Sequence, residues 1–209
     1  MNELKKIIKT YAYRESIEIS KNYLQSYFVS WYEFEANIKS RMNKIFINGF
    51  NTFPHKIFKE DLLIIPSVGG VLMTFEDFEF ISYCMKYSKD KFLYIIEDFH
   101  PKKPPHNFGP SLRFKYPSNI SWEQINMNEG ISFQLFQLSA RNYYVFGDNG
   151  CWGRYVANDY FNTIQNIGAT PLDITAFKLE SSQKYFERLK IVATDLDLAK
   201  KWFSFLKWN

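Results

Sequence analysis

A chain of 209 residues, 46% hydrophobic and 19% aromatic, carries enough apolar surface to order one compact domain, which excludes disorder of its whole length. The net charge of +4, from 26 basic and 22 acidic residues, lacks the broad basic footprint of a nucleic-acid binder. Two cysteines, Cys84 and Cys151, are too few for a disulfide scaffold or a four-cysteine zinc site, and both are expected to be reduced thiols.

Residues 1–8 mix Glu3 with Lys5 and Lys6 and lack the uninterrupted apolar core of a signal peptide. The longest apolar runs, 62–65 and 92–96, have the length of strands and fall far short of a bilayer span. A cytoplasmic protein without a membrane partner is the expectation. No break in composition divides residues 1–209, so a single domain is expected.

Along the chain, residues 2–25 place Leu4, Ile7, Ile8, Tyr11, Ile17 and Leu24 mostly at helical spacing, as in one or two amphipathic helices. Residues 31–47 fit helix or strand. Residues 62–67 form a buried-strand candidate, and Gly69-Gly70 turns the chain before the apolar run 71–73. Thr74 and Asp77 mark a helix start with Phe75, Phe78, Phe80 and Ile81 on its apolar side, and strand character returns at 91–97. Residues 98–110, DFHPKKPPHNFGP, contain four prolines, which cannot sit in central ladders, and are expected as a long surface loop.

Beyond that loop a strand is expected at 111–116, and 120–125 shows a capping box, Ser121 to Gln124, flanked by a hydrophobic staple. Strands are expected at 131–138, 143–146, 152–157 and 172–177, with Asn149-Gly150 as a type I′ hairpin turn. Thr194 and Asp197 open a closing helix whose Leu196, Ala199, Trp202, Phe203 and Leu206 share a face. Helices followed by a run of strands and a last helix specify an α+β fold with a mainly antiparallel sheet and flanking helices.

Chemistry concentrates at residues 146–160, FGDNGCWGRYVANDY, which bring Asp148, Asn149, Trp152, Arg154 and Asp159 around one turn. As a partner-binding surface, Trp152 would be the apolar anchor and the polar residues would set orientation. As plain structure, the glycines let the hairpin twist, Trp152 packs, and Asp148 with Arg154 is a surface pair. Gly147, Gly150 and Gly153 match neither the dinucleotide fingerprint nor the P-loop, and no nucleophile signature surrounds either cysteine.

Asp98, His100 and His106 have ligand chemistry, yet two histidines in a proline-rich loop are ordinarily solvated, and folding is expected to need no metal or cofactor. Lys102, Lys103, Arg113 and Lys115, interleaved with Phe108, Phe114 and Tyr116, carry the whole charge excess and read as a basic loop before they read as a phosphate grip.

The 146–160 segment, in a small chain rich in Phe, Tyr, Asn and Lys, resembles bacterial immunity proteins of toxin systems. That resemblance implies a non-catalytic protein that binds and blocks a cognate toxin domain, often through acidic and aromatic surface residues. The basic balance departs from the family pattern and argues against a strongly basic nuclease as the toxin. The alternative is a carboxylate-dependent hydrolase using Glu97 and Asp98 with Asp148 or Asp159.

Overall fold

The computed structural model describes residues 2–11, 17–47, 62–68, 75–98, 111–126, 143–156 and 172–178. In chain order these form α1 (Glu3–Tyr11), α2 (Ile17–Tyr27), α3 (Trp31–Glu33), a π-helical stretch (Phe34–Ile38), α4 (Lys39–Met42), β1 (Leu62–Val68), α5 (Phe75–Ser88), β2 (Phe92–Glu97), β3 (Arg113–Pro117), α6 (Trp122–Ile125), β4 (Tyr143–Gly147), β5 (Trp152–Val156) and β6 (Leu172–Lys178). Residues 99–110 of the loop expected at 98–110, the strand at 131–138 and the helix at 194–206 lie outside the described residues.

All six strands join one antiparallel sheet in the order β1-β6-β5-β4-β2-β3, so the α+β fold expected from the chain is the one observed. The inner strands read as nearly continuous apolar runs because they are covered on both faces: every residue of β4 is buried, as are all but the first of β2. On one face Leu93, Ile95, Phe114, Tyr116 and Val145 pack against Ile7 of α1, Leu24 of α2 and Ile81 and Cys84 of α5. On the other face the region after α4 supplies Phe46, whose ring lies 4.8 Å from Tyr144 and 5.9 Å from Phe146. The ambiguous stretch at 31–47 is thus mostly helical and forms the second covering layer.

Polar contacts pin these layers in place. In the interior the hydroxyls of Tyr23 and Tyr116 lie 2.7 Å apart, and Tyr23 donates to the Ile125 carbonyl at 3.1 Å, tying α2, β3 and α6 together. The capping box at Ser121 forms as its sequence specifies, with Ser121 accepting from the Gln124 amide and Gln124 accepting from the Ser121 amide. At the edge strand β3, the Val29 amide donates to the Arg113 carbonyl at 2.9 Å and Arg113 Nε returns a bond to the Val29 carbonyl at 3.1 Å. Arg113 Nη2 also pairs with Glu3, whose second oxygen accepts the Trp31 amide at 2.7 Å, so α1, β3 and α3 meet at one ion pair.

The C-terminal end of α5 leads the chain into β2 through a defined cap. Asp90 donates its amide to the Met85 carbonyl at 2.9 Å and Lys89 to that of Lys86 at 3.3 Å, the bonding pattern of a Schellman cap. Such a cap needs one left-handed residue, and Lys89 fills that place with φ 55° where glycine is the usual occupant. Lys89→Gly is expected to stabilise the protein by up to about 1 kcal/mol in denaturant unfolding, through relief of that backbone conformation. A loss of stability would show that the Lys89 side chain contributes more than its backbone costs.

Candidate functional site

Two turns meet at one end of the sheet, and each supplies a carboxylate to the other. Asp90, just past the α5 cap, accepts the Asn149 amide at 2.7 Å and the Trp152 indole Nε1–H at 2.9 Å, and it also bonds the Ser88 hydroxyl. Asp148, in the β4–β5 turn, accepts the amides of Lys91 at 2.6 Å and Phe92 at 3.0 Å, where β2 begins. Asn149 adds a bond from its Nδ2 to the Ser88 carbonyl at 2.6 Å. Gly147 is required here by close approach, since a Cβ at that position would stand 2.0 Å from Asp90 Oδ2.

The hairpin is present, but its turn differs from the type I′ expected for Asn149-Gly150. Among the residues of this turn only Gly150 has a positive φ, 66°, and its amide bonds the Gly147 carbonyl at 3.3 Å. That is a type I turn followed by a left-handed glycine. The Gly150 amide to Gly147 carbonyl bond puts Asp148 and Asn149 at the centre of the turn, so the glycine follows the central pair instead of belonging to it, and its left-handed φ closes the hairpin from that place.

Of the five residues expected to contact a partner, Asp148, Asn149 and Trp152 surround Asp90, while Asp159 lies outside the described residues. Trp152 and Arg154 are interior side chains, at 0% and 2% exposure. Trp152 belongs to the core cluster, so the anchor expected of it does not face solvent. Arg154 sits opposite Val145 on the core face of the sheet rather than in a surface pair. Asp148 instead faces Arg41 of α4, at 3.7 Å.

Of the carboxylates of the hydrolase alternative, Asp148 is not brought to Glu97 and Asp98, and Asp159 lies outside the described residues. Glu97 and Asp98 end β2 while Asp148 caps its start, and a strand of this length separates them by roughly 20 Å. Glu97 is buried and accepts the Leu112 amide at 2.7 Å, and Asp98 accepts the Tyr155 hydroxyl at 2.7 Å. His100 and His106 lie outside the described residues, among which no three His, Cys, Asp or Glu side chains group as a metal site. In the basic stretch, Lys102 and Lys103 are likewise outside, Arg113 is buried against Glu3, and Lys115 pairs with Glu33 at 3.2 Å.

A different surface emerges on the far side of the sheet. Tyr32 is 83% exposed and Trp31 44% exposed, at the start of α3. From Glu33, the next residue, contacts run without a gap to the hairpin. Trp31 stacks on the Arg113 guanidinium at 5.4 Å, Glu33 pairs with Lys115, and Lys115 lies 4.4 Å over the Phe92 ring. Phe92 neighbours Tyr94, whose hydroxyl accepts from Arg41 Nη1 at 2.8 Å, and Arg41 reaches Asp148. Burial raises the pKa of the Tyr94 hydroxyl, with Arg41 opposing, and burial lowers that of Arg113, with Glu3 opposing. The signal for this ribbon was the Trp31-Tyr32 pair after Ser30, which caps α3 by accepting the Glu33 amide at 3.2 Å.

No protein-family model, curated protein or solved structure matches the chain, so its functional reading rests on these contacts. Trp152→Ala is expected to cost about 3–5 kcal/mol of stability, since it empties a core site and removes a donor from Asp90. Asp148→Ala is expected to cost about 1–2 kcal/mol, because two amides lose their acceptor but water can reach the exposed one. Urea unfolding of both variants checks the order; equal and small losses would contradict the exchange of carboxylates between the two turns.

Proposed function

We propose that the protein is a non-catalytic protein-binding domain that contacts its partner through the ribbon from Trp31 and Tyr32 to Arg41 and Asp148, with a toxin domain, as the resemblance to immunity proteins implies, as that partner. The observation that carries this reading is the exposure of Tyr32 and Trp31 side by side on a helical layer fixed to the sheet. Large aromatic side chains and arginine dominate interface energetics, and an anchor already held in place loses little freedom on binding. The ion pairs Glu33–Lys115 and Glu35–Lys39 beside them supply a polar rim. Among the described residues no helix is long and apolar enough to cross a membrane.

The test is binding of the full chain to a purified toxin domain, sought among the genes beside its own, by calorimetry, together with rescue of toxin-arrested growth. Tyr32→Ala and Trp31→Ala are each expected to weaken affinity by more than about 1 kcal/mol. Tyr32→Ala should leave the melting temperature unchanged, because that side chain is mostly in solvent. Undiminished affinity and rescue in both variants would remove the ribbon as the contact surface.

A further inference from the structure

The end of the sheet where the two turns meet is also basic on its outside. The run Lys89-Asp90-Lys91 turns its acid inward, to 5% exposure, and leaves both lysines exposed. The last turn of α5 adds the exposed Lys86, and the residues after α4 add the exposed Lys44. Lys44 lies against the hairpin, because a Cβ at Gly150 would stand 2.7 Å from its Cδ and 3.4 Å from the Arg41 carbonyl oxygen. Lysines from two separate segments thus share one tip, with Arg41 beside them.

The carboxylates of this tip are engaged elsewhere. Asp90 accepts from the Ser88 hydroxyl, the Asn149 amide and the Trp152 indole, and Asp148 accepts the amides of Lys91 and Phe92 and faces Arg41. Among the described residues Lys44, Lys86, Lys89 and Lys91 take part in no ion pair. The dipole of α5 accounts for a cation in its last turn, as at Lys86, but it fades beyond that turn and does not explain a lysine on another segment. Lys89 adds an independent observation, since it holds the left-handed place of the cap at φ 55°, where glycine would avoid the steric cost. A side chain that stands at a backbone cost points to a use beyond folding.

We propose that Lys44, Lys86, Lys89 and Lys91, with Arg41 beside them, form a docking surface for an acidic segment of a protein partner. The proposal rests on the protein-binding reading above and names the charge the partner presents at one end of the ribbon, because Arg41 belongs to both surfaces. Exposed charges at an interface rim act chiefly on encounter and orientation, and lysines on flexible stems serve that role without a fixed geometry. A protein segment is favoured over a nucleic acid because a net charge of +4, with 22 acidic residues in the chain, gives a polyphosphate no broad basic footprint.

The experiment titrates the full chain with a poly-L-glutamate peptide at physiological salt and follows backbone amides by NMR, with an oligothymidylate of equal charge as the second probe. The peptide is expected to shift the amides of Lys44, Lys86, Lys89, Lys91 and Asn149. Lys44→Gln, Lys89→Gln and Lys91→Gln should each weaken it by about two- to fivefold, the size of an exposed charge pair. Lys5→Gln with Lys6→Gln, on the exposed face of α1, should leave its affinity unchanged. Shifts centred on α1, no shift at the tip, or undiminished affinity in the three tip variants would overturn the proposal. Tighter binding of the oligothymidylate at the same lysines would overturn the choice of a protein. The titration needs no toxin domain, so its failure removes this docking surface alone, whereas undiminished toxin binding in the Tyr32 and Trp31 variants removes the ribbon.

Discussion

The arrangement depends on the exchange of carboxylates between two turns. A strand that starts at Phe92 and a hairpin that turns at Asp148 have no covalent reason to lie together, yet each ends in backbone amides that need an acceptor where the sheet is about to begin. Asp148 satisfies the amides leading into β2, and Asp90 satisfies the hairpin amide and the indole of Trp152. Because both bonds sit at one end of the β2–β4 pair, they fix which residues of those strands face each other. A shift by one residue would send Leu93 and Ile95 to the opposite face and break both contacts. The Schellman cap of α5 delivers Asp90 to that place, and the missing Cβ of Gly147 leaves room for its carboxyl group.

Covering both faces of the sheet shapes the surface that remains. With β2 and β4 buried on both sides, the polar chemistry of the described residues gathers at strand ends, at the edge strand β3 and on the outer side of the 31–42 layer. Arg113 illustrates the cost of an edge near a core. Its guanidinium is buried between the rings of Phe28 and Trp31, and the charge is tolerated because Glu3 and the Val29 carbonyl meet it. The π-helical stretch turns Phe34 and Ile38 inward in the same layer that leaves Tyr32 in solvent.

The strands were legible because each is a short apolar or aromatic run bounded by turn residues, and the helix at Ser121 because its capping box is a local signal. Residues 31–47 were ambiguous because WYEFEANIKSRM places aromatic and charged residues so that either period finds support. Strand order was not legible at all: β2 lies between β3 and β4 through pairings between distant segments, which no local pattern encodes. Two of the candidate site's residues were misplaced for a related reason. The segment around Trp152 shows a tight turn but not what packs on it, so Trp152 and Arg154 read as surface residues when they are interior. Asp90 passed unnoticed in the polar run SKDK, although a buried indole N–H implies that some acceptor must exist.

Asp148 belongs both to the carboxylate exchange between the turns and to the exposed ribbon, and this joins the two halves of the chemistry of the described residues. One oxygen holds the amides of Lys91 and Phe92, while the other faces Arg41, which donates to the Tyr94 hydroxyl. The Phe92 ring lies beside Tyr94 and under Lys115, which pairs with Glu33 one residue from Tyr32. The contacts are continuous from Asp148 to Glu33, so one run of polar and aromatic side chains ties the turn that starts β2 to the helical layer at 31–42.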